Sequence, residues 1–167
     1  MHVSTLMLNH QMGKAAVQRA FKKDIFFPVL QKLVEADEHS WHYFLIVLNL
    51  RNKSFELLDS MRSLEDEKLA ARCNGFLAAI KSLWNDHYSD SKHPIDNYEL
   101  VDIAVPKQTN NKDCRFHMIM HAQYWDGRSL SHFNENDMSN IRNILTYKWI
   151  KYEENDTAWE TILNMKI

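Results

Sequence analysis

Two adjacent apolar segments joined by a short polar turn constrain the fold more than any other feature of this sequence. The run YFLIVLNL, Tyr43 to Leu50, is unbroken and has the length of a buried strand. The polar residues RNK follow, and then the segment SFELLDS, Ser54 to Ser60. Segments this close in sequence are expected to pair as a hairpin. Because a hairpin brings the outer ends of its strands together, His42 is predicted to lie beside Asp59.

The segments around this hairpin predict a further strand and a long helix. DIFFPVL is rich in β-formers, and Pro28 confines it to an edge or an interrupted strand. Ser63 is followed three positions later by the acid Asp66, a pattern that opens helices. Apolar residues then recur at spacings of three and four to about Trp84. Cys73 lies on that apolar stripe and is expected to be a small core side chain.

The remaining segments complete one α+β domain. A short amphipathic helix is predicted over 14–23 and a half-buried strand over 98–106. A helix is expected from Cys114 to about Trp125 with Asp113 as its N-cap, and another over 137–150. No repeat or linker divides the chain. Three tryptophans on apolar helix faces are expected in the core: Trp84, Trp125 and Trp149.

Composition excludes several classes of protein. The 167 residues are 45% hydrophobic and 25% charged, which suits one globular domain with a substantial core. The formal charge of −2 gives no basic field for nucleic acid and no polybasic segment for a membrane surface. Two cysteines outside any CxxC pair do not make a disulfide framework, and no signal peptide or membrane span is recognisable. An intracellular protein without nucleic-acid or membrane partners is expected.

Cys114 has the setting of a nucleophile. At the start of a helix, unpaired N–H groups and the macrodipole favour the thiolate. His42 at a strand mouth is the predicted base, and Asp59 would orient its ring. Gln108 is expected to direct its side-chain amide at the developing oxyanion, together with the backbone N–H of Cys114. His39 is a rival for the base, although it would lie outside the strand.

Two other interpretations of Cys114 remain open. It could be an inert buried thiol, as a lone cysteine at a helix start often is. Cys114, His117 and His121 also share one helix face, where a thiolate and two imidazoles are a plausible zinc site. The glutamate of a hydrolytic HExxH motif is missing and no fourth ligand is evident. We therefore expect no metal, and we expect His117 and His121 to be packing or surface residues.

The four site residues carry a family resemblance. The order His42, Asp59, Gln108, Cys114, in the contexts HYFLIVLNL, FELLDS and VPKQTNNKDC, resembles the ubiquitin-like-protein-specific cysteine proteases, also called SUMO or sentrin proteases. That family has His-Trp at a strand start, Asp-Ser after the next strand, and later Gln-x-Asn-x-x-Asp-Cys-Gly. The WDG after the cysteine helix and the arginine of SNIRNIL are similar to the plant set of this family, much of it transposon-borne.

The resemblance covers roughly Lys22 to Tyr152 and leaves residues 1–21 poorly matched, so 1–167 is interpreted as the C-terminal portion of one catalytic domain. It implies a papain-related fold of the SUMO-protease and adenovirus-proteinase type, with a central mixed sheet flanked by helices. The implied activity is cleavage after the Gly-Gly C-terminus of SUMO or another ubiquitin-like modifier, in deconjugation or precursor maturation. No cofactor is implied. A monomer in the nucleus or cytoplasm is expected.

The sequence departs from the family pattern at three points. Arg115 replaces the glycine after the cysteine, where a long cation is expected to crowd the cleft and also to favour the thiolate. Tyr43 replaces a tryptophan, and with the neighbouring Trp41 it is expected to contact substrate. Only 41 residues precede the histidine, which suggests a truncated N-terminal part. The alternative function is therefore a catalytically impaired relic that only binds a partner.

Overall fold

The computed structural model describes residues 24–38, 40–130 and 133–152. The helix predicted over 14–23 and the rival base His39 lie outside these residues. Within them, no helix has the length and apolar character that crossing a membrane requires.

A mixed four-stranded sheet forms the centre of the fold. In spatial order it consists of β1 (Asp24–Lys32), β2 (Trp41–Asn49), β3 (Ser54–Leu58) and β4 (Glu99–Asp102). The first three strands are antiparallel neighbours, whereas β4 runs parallel to β3. Because parallel strands cannot be joined by a tight turn, a crossover connection is needed there. Helix α1 (Glu67–Tyr88) supplies it.

Two further helices complete the architecture. Helix α2 (Cys114–Tyr124) follows the sheet in sequence, and a short 3-10 turn (Glu135–Asp137) leads into α3 (Met138–Ile150). The fold class predicted from the sequence, α+β with a mixed sheet flanked by helices, is confirmed.

The predicted hairpin of β2 and β3 is present. Asn49 pairs with Ser54 at its closed end, and Lys53 takes the left-handed conformation at φ 56° in the turn. β1 is an edge strand, which accommodates Pro28 because a proline has no N–H to donate to a second neighbour. The two strands that the sequence indicates most clearly, β2 and β3, therefore lie at the centre of the sheet.

Strand β2 is buried on both faces, which explains its unbroken apolar sequence. Phe44, Ile46 and Leu48 belong to one core cluster, while Leu45 and Val47 belong to another. The first cluster includes three residues of α1: Leu69, Cys73 and Leu77. The second includes residues at and beyond α2, namely Met118, Ala122 and Trp125. The sheet is thus covered by α1 on one face and by α2 on the other, and Cys73 is a core residue as expected.

The predicted start of α1 is wrong by three residues. Asp66 is the N-cap, and its Oδ1 accepts a hydrogen bond from the backbone N–H of Leu69 at 3.0 Å. Ser63 instead contributes its carbonyl to the preceding turn, where it accepts the N–H of Asp66 at 3.0 Å. The helix ends at Tyr88, beyond the predicted Trp84. Strand β4 is likewise shorter than predicted, because only 99–102 pair with β3.

The three tryptophans expected in the core differ in environment. Trp125 is buried, and Trp84 is partly buried against the α1 cluster. Trp149 is 45% exposed, so its prediction as a core residue is wrong. Its ring stacks on Phe116 of α2 at a centroid distance of 6.0 Å. The apolar face of α3 is therefore only partly covered by the described residues.

The Trp-Asp-Gly segment after α2 anchors that helix to the hairpin. Trp125 Nε1 donates to Oε2 of the buried Glu56 at 3.0 Å. The carbonyl of Gly127 accepts hydrogen bonds from the side-chain amides of Asn49 and Asn52 at 3.2 and 2.7 Å. Gly127 has φ +85°, and a Cβ there would lie 3.3 Å from Asn49 Nδ2. A glycine is needed at this position.

Gly127→Ala is expected to lower the free energy of unfolding by about 1–2 kcal/mol, because alanine at positive φ is strained and meets the Asn49 amide. Gly75→Ala is the matched control. It lies on an exposed part of α1 with no atom within 4 Å of the new Cβ, and should raise the free energy of unfolding by about 0.5–1 kcal/mol. Urea unfolding measures both. Equal effects at the two positions would contradict the anchoring role of Gly127.

Candidate active site

The hairpin brings His42 and Asp59 into contact. His42 is the second residue of β2, and Asp59 is the residue directly after β3. The His42 Nε2 atom lies 2.7 Å from Asp59 Oδ1, and both side chains are fully buried. The antiparallel register, in which Leu45 pairs with Leu58, sets this juxtaposition.

The Asp59 carboxylate is held by further donors. Its Oδ1 accepts the backbone N–H groups of Met61 and Arg62 at 2.8 and 3.1 Å. Its Oδ2 accepts Nε and Nη2 of the Arg62 guanidinium at 3.2 and 3.1 Å. Burial raises the pKa of Asp59, but the bonds from His42, Met61 and Arg62 outweigh it and the pKa lies below its ordinary value. Asp59 is therefore ionised at neutral pH.

Arg62 is a functional neighbour that sequence reasoning missed. Its Nη2 also donates to Gln31 Oε1 on β1 at 3.1 Å, and the guanidinium lies over the ring of Phe44 at 5.6 Å. An arginine three residues after an aspartate in a turn is too common a pattern to have indicated this role. Its effect is to fix the carboxylate that contacts His42.

The second ring nitrogen of His42 is left for Cys114. Nδ1 is buried and makes no hydrogen bond of ordinary geometry within the described part of the chain. Burial lowers the pKa of His42, but Asp59 and the Cys114 thiol together raise it above its ordinary value. The thiol and the imidazole are thus close enough for each to act on the charge of the other.

Cys114 is the first residue of α2 and is buried, with only 5% of its surface exposed. Burial raises the pKa of its thiol. Hydrogen bonding with His42 and with the backbone N–H groups of Tyr43 and Arg115 outweighs burial, so the pKa is lowered. Cys73 has no such donors, and burial raises the pKa of its thiol to about 11. The two free cysteines therefore differ in reactivity for a physical reason.

Asp113 is the N-cap residue of α2 as predicted, but its side chain does not cap the helix. It occupies the N-cap position but has helical backbone angles, φ −91° and ψ 0°, and its side chain makes no capping bond. The carboxylate accepts instead from Asn110 Nδ2 at 2.8 Å and from Arg142 Nη1 on α3 at 3.1 Å. The first N–H groups of α2 are consequently not consumed by a capping carboxylate. One of them, that of Arg115, acts on the Cys114 sulfur.

Gln108 is oriented by Ser60, the residue after Asp59. The Ser60 hydroxyl donates to Gln108 Oε1 at 2.6 Å, and the Gln108 backbone N–H donates to the Ser60 carbonyl at 2.8 Å. The Gln108 side-chain amide donates one hydrogen to the carbonyl of Asn110. An NH₂ group has two hydrogens, so one is left for another acceptor. No signal in the sequence indicates this role of the Ser60 side chain, because Ser60 and Gln108 lie 48 residues apart.

The predicted substrate-contacting residues lie near the site surface. Trp41 is 47% exposed, and its Nε1 donates to the carbonyl of Glu38 at 2.8 Å. Tyr43 is half-buried. Arg115 is exposed, and its side chain makes no hydrogen bond or ion pair with a described residue. A flexible cation therefore stands directly after the cysteine.

The two histidines considered as zinc ligands are buried packing residues. His117 Nε2 lies 2.8 Å from Glu135 Oε2, whereas neither ring nitrogen of His121 makes a hydrogen bond within the described residues. Burial and then the neighbouring His117 lower the pKa of His121 to about 3, so it is neutral. Among described residues, no three histidine, cysteine or carboxylate side chains are grouped as metal ligands. Cys114 is directed to His42 instead.

Alkylation of Cys114 by iodoacetamide should persist at a lower pH than for an ordinary thiol. The thiolate population falls as pH falls through the thiol pKa, which is lowered here. His42→Ala removes a partner that lowers this pKa, so the pH–rate curve should move to higher pH. Mass spectrometry of the modified peptides measures the alkylation rate of Cys114 in the wild type and in His42→Ala. The buried Cys73 serves as the unreactive internal control. Superimposable curves for the two proteins would refute the thiol–imidazole coupling.

Comparison with known proteins places this geometry in a family. The chain is similar to the solved C-terminal Ulp1 protease domain in complex with Smt3, the yeast ortholog of SUMO, with TM-score 0.55 and 19% identity over 83% of this chain and 61% of that one. It is also similar to the SUMO protease Ulp1 with its catalytic cysteine oxidised to a sulfenic acid, with TM-score 0.55 and 20% identity over 80% and 59% of the two chains.

The chain thus spans about three fifths of the length of these solved proteins, and at such identity the likeness concerns the fold. No curated protein sequence matches the chain significantly. The family model that does match, that of the Ulp1 protease family, C-terminal catalytic domain, covers residues 13–154. The chain therefore belongs to the Ulp1 protease family.

Proposed function

We propose that this protein is a cysteine peptidase that hydrolyses the bond after the Gly-Gly C-terminus of a SUMO-like modifier, in deconjugation or in precursor maturation. One observation carries the proposal. His42 contacts the Asp59 carboxylate through one ring nitrogen and acts on the Cys114 thiol, and the pKa values of His42 and Cys114 move in opposite directions. Membership of the family supports the peptidase class, and the solved relative bound to Smt3 supports the modifier.

The first half of the reaction uses the charges of the site. The Cys114 thiolate attacks the carbonyl carbon of the terminal glycine, and the negative charge moves to the carbonyl oxygen. The free amide hydrogen of Gln108 and the backbone N–H of Cys114 stabilise this oxyanion. As the first residue of α2, Cys114 has no intrahelical acceptor for its N–H. His42, protonated beside Asp59, donates its proton to the leaving lysine amine or peptide nitrogen.

The second half releases the modifier. The modifier is then held as a thioester on Cys114, and neutral His42 accepts a proton from water as the water attacks that carbonyl. Collapse of the second oxyanion intermediate frees the modifier's carboxylate and regenerates the thiolate–imidazolium pair. Asp59 keeps the imidazole oriented throughout, because four hydrogen bonds from Met61 and Arg62 hold its carboxylate in place.

Substrate contacts follow from the exposed residues beside the catalytic pair. We assign to Trp41 and Tyr43 an aromatic surface that narrows the channel for a side-chain-free Gly-Gly segment. Arg115 directly follows the nucleophile and is exposed, so its side chain crowds the mouth of the cleft. The partners are the modifier and its conjugates, with no nucleic acid or membrane, and the protein acts as a monomer in the nucleus or cytoplasm. The WDG and SNIRNIL segments further motivate a plant, transposon-associated origin.

Cys114→Ala should abolish labelling by a vinyl-methyl-ester probe on a modifier ending in Gly-Gly and should abolish isopeptide cleavage, because the attacking sulfur is gone. Cys73→Ala is the matched control, since Cys73 lies in the core on α1 and burial keeps its thiol protonated. The control should keep both activities. Gel-shift labelling and cleavage of a modifier–lysine conjugate measure the outcome. Labelling that survives Cys114→Ala would remove this cysteine from the mechanism.

Arg115→Gly should increase the rate of probe labelling, because it removes an exposed side chain from the cleft mouth and restores the small residue typical of the family. Arg128→Ala is the control, because it changes an exposed arginine outside α2 and should leave the labelling rate unchanged. If neither wild type nor Arg115→Gly is labelled by any modifier tested, the relic function is favoured over catalysis.

A further inference from the structure

Glu135 joins two separate parts of the candidate site. It lies in the 3-10 turn before α3, and its Oε1 accepts the backbone N–H and the hydroxyl of Thr109 at 3.0 and 2.8 Å. Its Oε2 lies 2.8 Å from Nε2 of His117 on α2. Thr109 directly follows Gln108, and His117 lies one helical turn after Cys114. One carboxylate therefore links the loop of the oxyanion donor to the helix of the nucleophile.

The charge states make these bonds strong. Burial raises the pKa of Glu135, but the Thr109 and His117 donors outweigh it and lower the pKa, so the carboxylate is ionised at neutral pH. Burial lowers the pKa of His117 more than Glu135 raises it, so this imidazole is neutral and donates from Nε2. All three bonds thus have an ionised acceptor, which makes each stronger than a bond between neutral groups.

The loop that carries Gln108 is also hydrogen-bonded to the β2–β3 hairpin. Ser60 makes two hydrogen bonds with Gln108, and Lys107 Nζ donates to the carbonyls of Asp59 and Arg62 at 2.8 Å each. These contacts fix the loop to the end of β3, where Asp59 lies. The link from this loop to His117 of α2 runs separately, through Glu135 and Thr109.

We propose that Glu135 is a positioning residue for the oxyanion hole, which holds the Gln108 amide in register with Cys114. The proposal rests on the assignment of Gln108 as the oxyanion donor. Loss of Glu135 would remove the bonds that join Thr109 to His117 of α2. The loop would then be held by the Ser60 and Lys107 contacts at the hairpin and by the Asn110–Asp113 bond, with less restraint on the position of the Gln108 amide relative to Cys114. Because a displacement of about 1 Å can cost on the order of 100-fold in rate, such a shift is enough to be measured.

Glu135→Ala should lower kcat for hydrolysis of a fluorogenic C-terminal amide of the modifier by about 10- to 100-fold with little change in KM, because oxyanion contacts form in the transition state. Glu135→Gln keeps an oxygen acceptor for Thr109 and should restore most of kcat. Asn136→Ala, an exposed position in the same turn, is the matched control. The pH dependence of Cys114 alkylation should be unchanged in all three, because Glu135 does not act on the sulfur.

A double-mutant cycle with Gln108→Ala tests the route of the effect. If Glu135 acts through Gln108, Glu135→Ala should cause little further loss in the Gln108→Ala background. Equal losses in both backgrounds would mean that Glu135 acts elsewhere, and a wild-type kcat for Glu135→Ala would overturn the proposal outright.

Hydrogen exchange tests the Glu135 clamp, meaning the bonds of Glu135 to Thr109 and His117, without relying on catalysis. The Thr109 backbone N–H is bonded to Glu135, so its exchange should accelerate in Glu135→Ala and stay slow in Asn136→Ala. Unchanged exchange at Thr109 would refute the clamp even in an enzyme that proved inactive. An inactive wild type with an intact clamp would instead count against the proposed function, so the two failures are distinguishable.

Discussion

The pairing register of β2 and β3 is the constraint on which the candidate site depends. Because successive side chains of a strand point to opposite faces, a slip of one residue would turn His42 away from Asp59 and place its neighbours there instead. The register is fixed by burial of β2 on both faces and by the Asn49 side chain. That side chain accepts two N–H groups of the turn, from Arg51 and Asn52, and donates to Glu56. The closed end of the hairpin thereby sets the geometry of the open end.

The sequence predicted the strands and helices whose signals come from local periodicity and from strands that are adjacent in the chain. The β2–β3 hairpin, the edge strand with Pro28 and the α1 stripe with Cys73 were all indicated because their signals lie within one element. Contacts between distant segments could not be predicted in this way. The partner of Asp113 is Arg142, which lies 29 residues later, so a capping role was the only local expectation. Ser63 and Asp66 are both good capping residues, and tertiary context decided between them.

The polar side chains around His42 and Cys114 carry a definite charge pattern. Asp59 and Glu135 are ionised and each accepts several donors, while burial lowers the pKa values of His117 and His121 and keeps both imidazoles neutral. Among these three buried histidines, positive charge is therefore favoured on His42. A thiolate on Cys114 then has one imidazolium as its partner, which is the pairing that a cysteine peptidase requires.

The helical conformation at Asp113 has a consequence for the Cys114 thiol. A side chain that capped α2 would bind the same first-turn N–H groups that favour negative charge on Cys114. With its carboxylate committed to Asn110 and Arg142, Asp113 still packs α3 against the start of α2. Stability at this helix end is thus obtained from a tertiary contact rather than from a cap. The N–H groups remain available to the Cys114 sulfur.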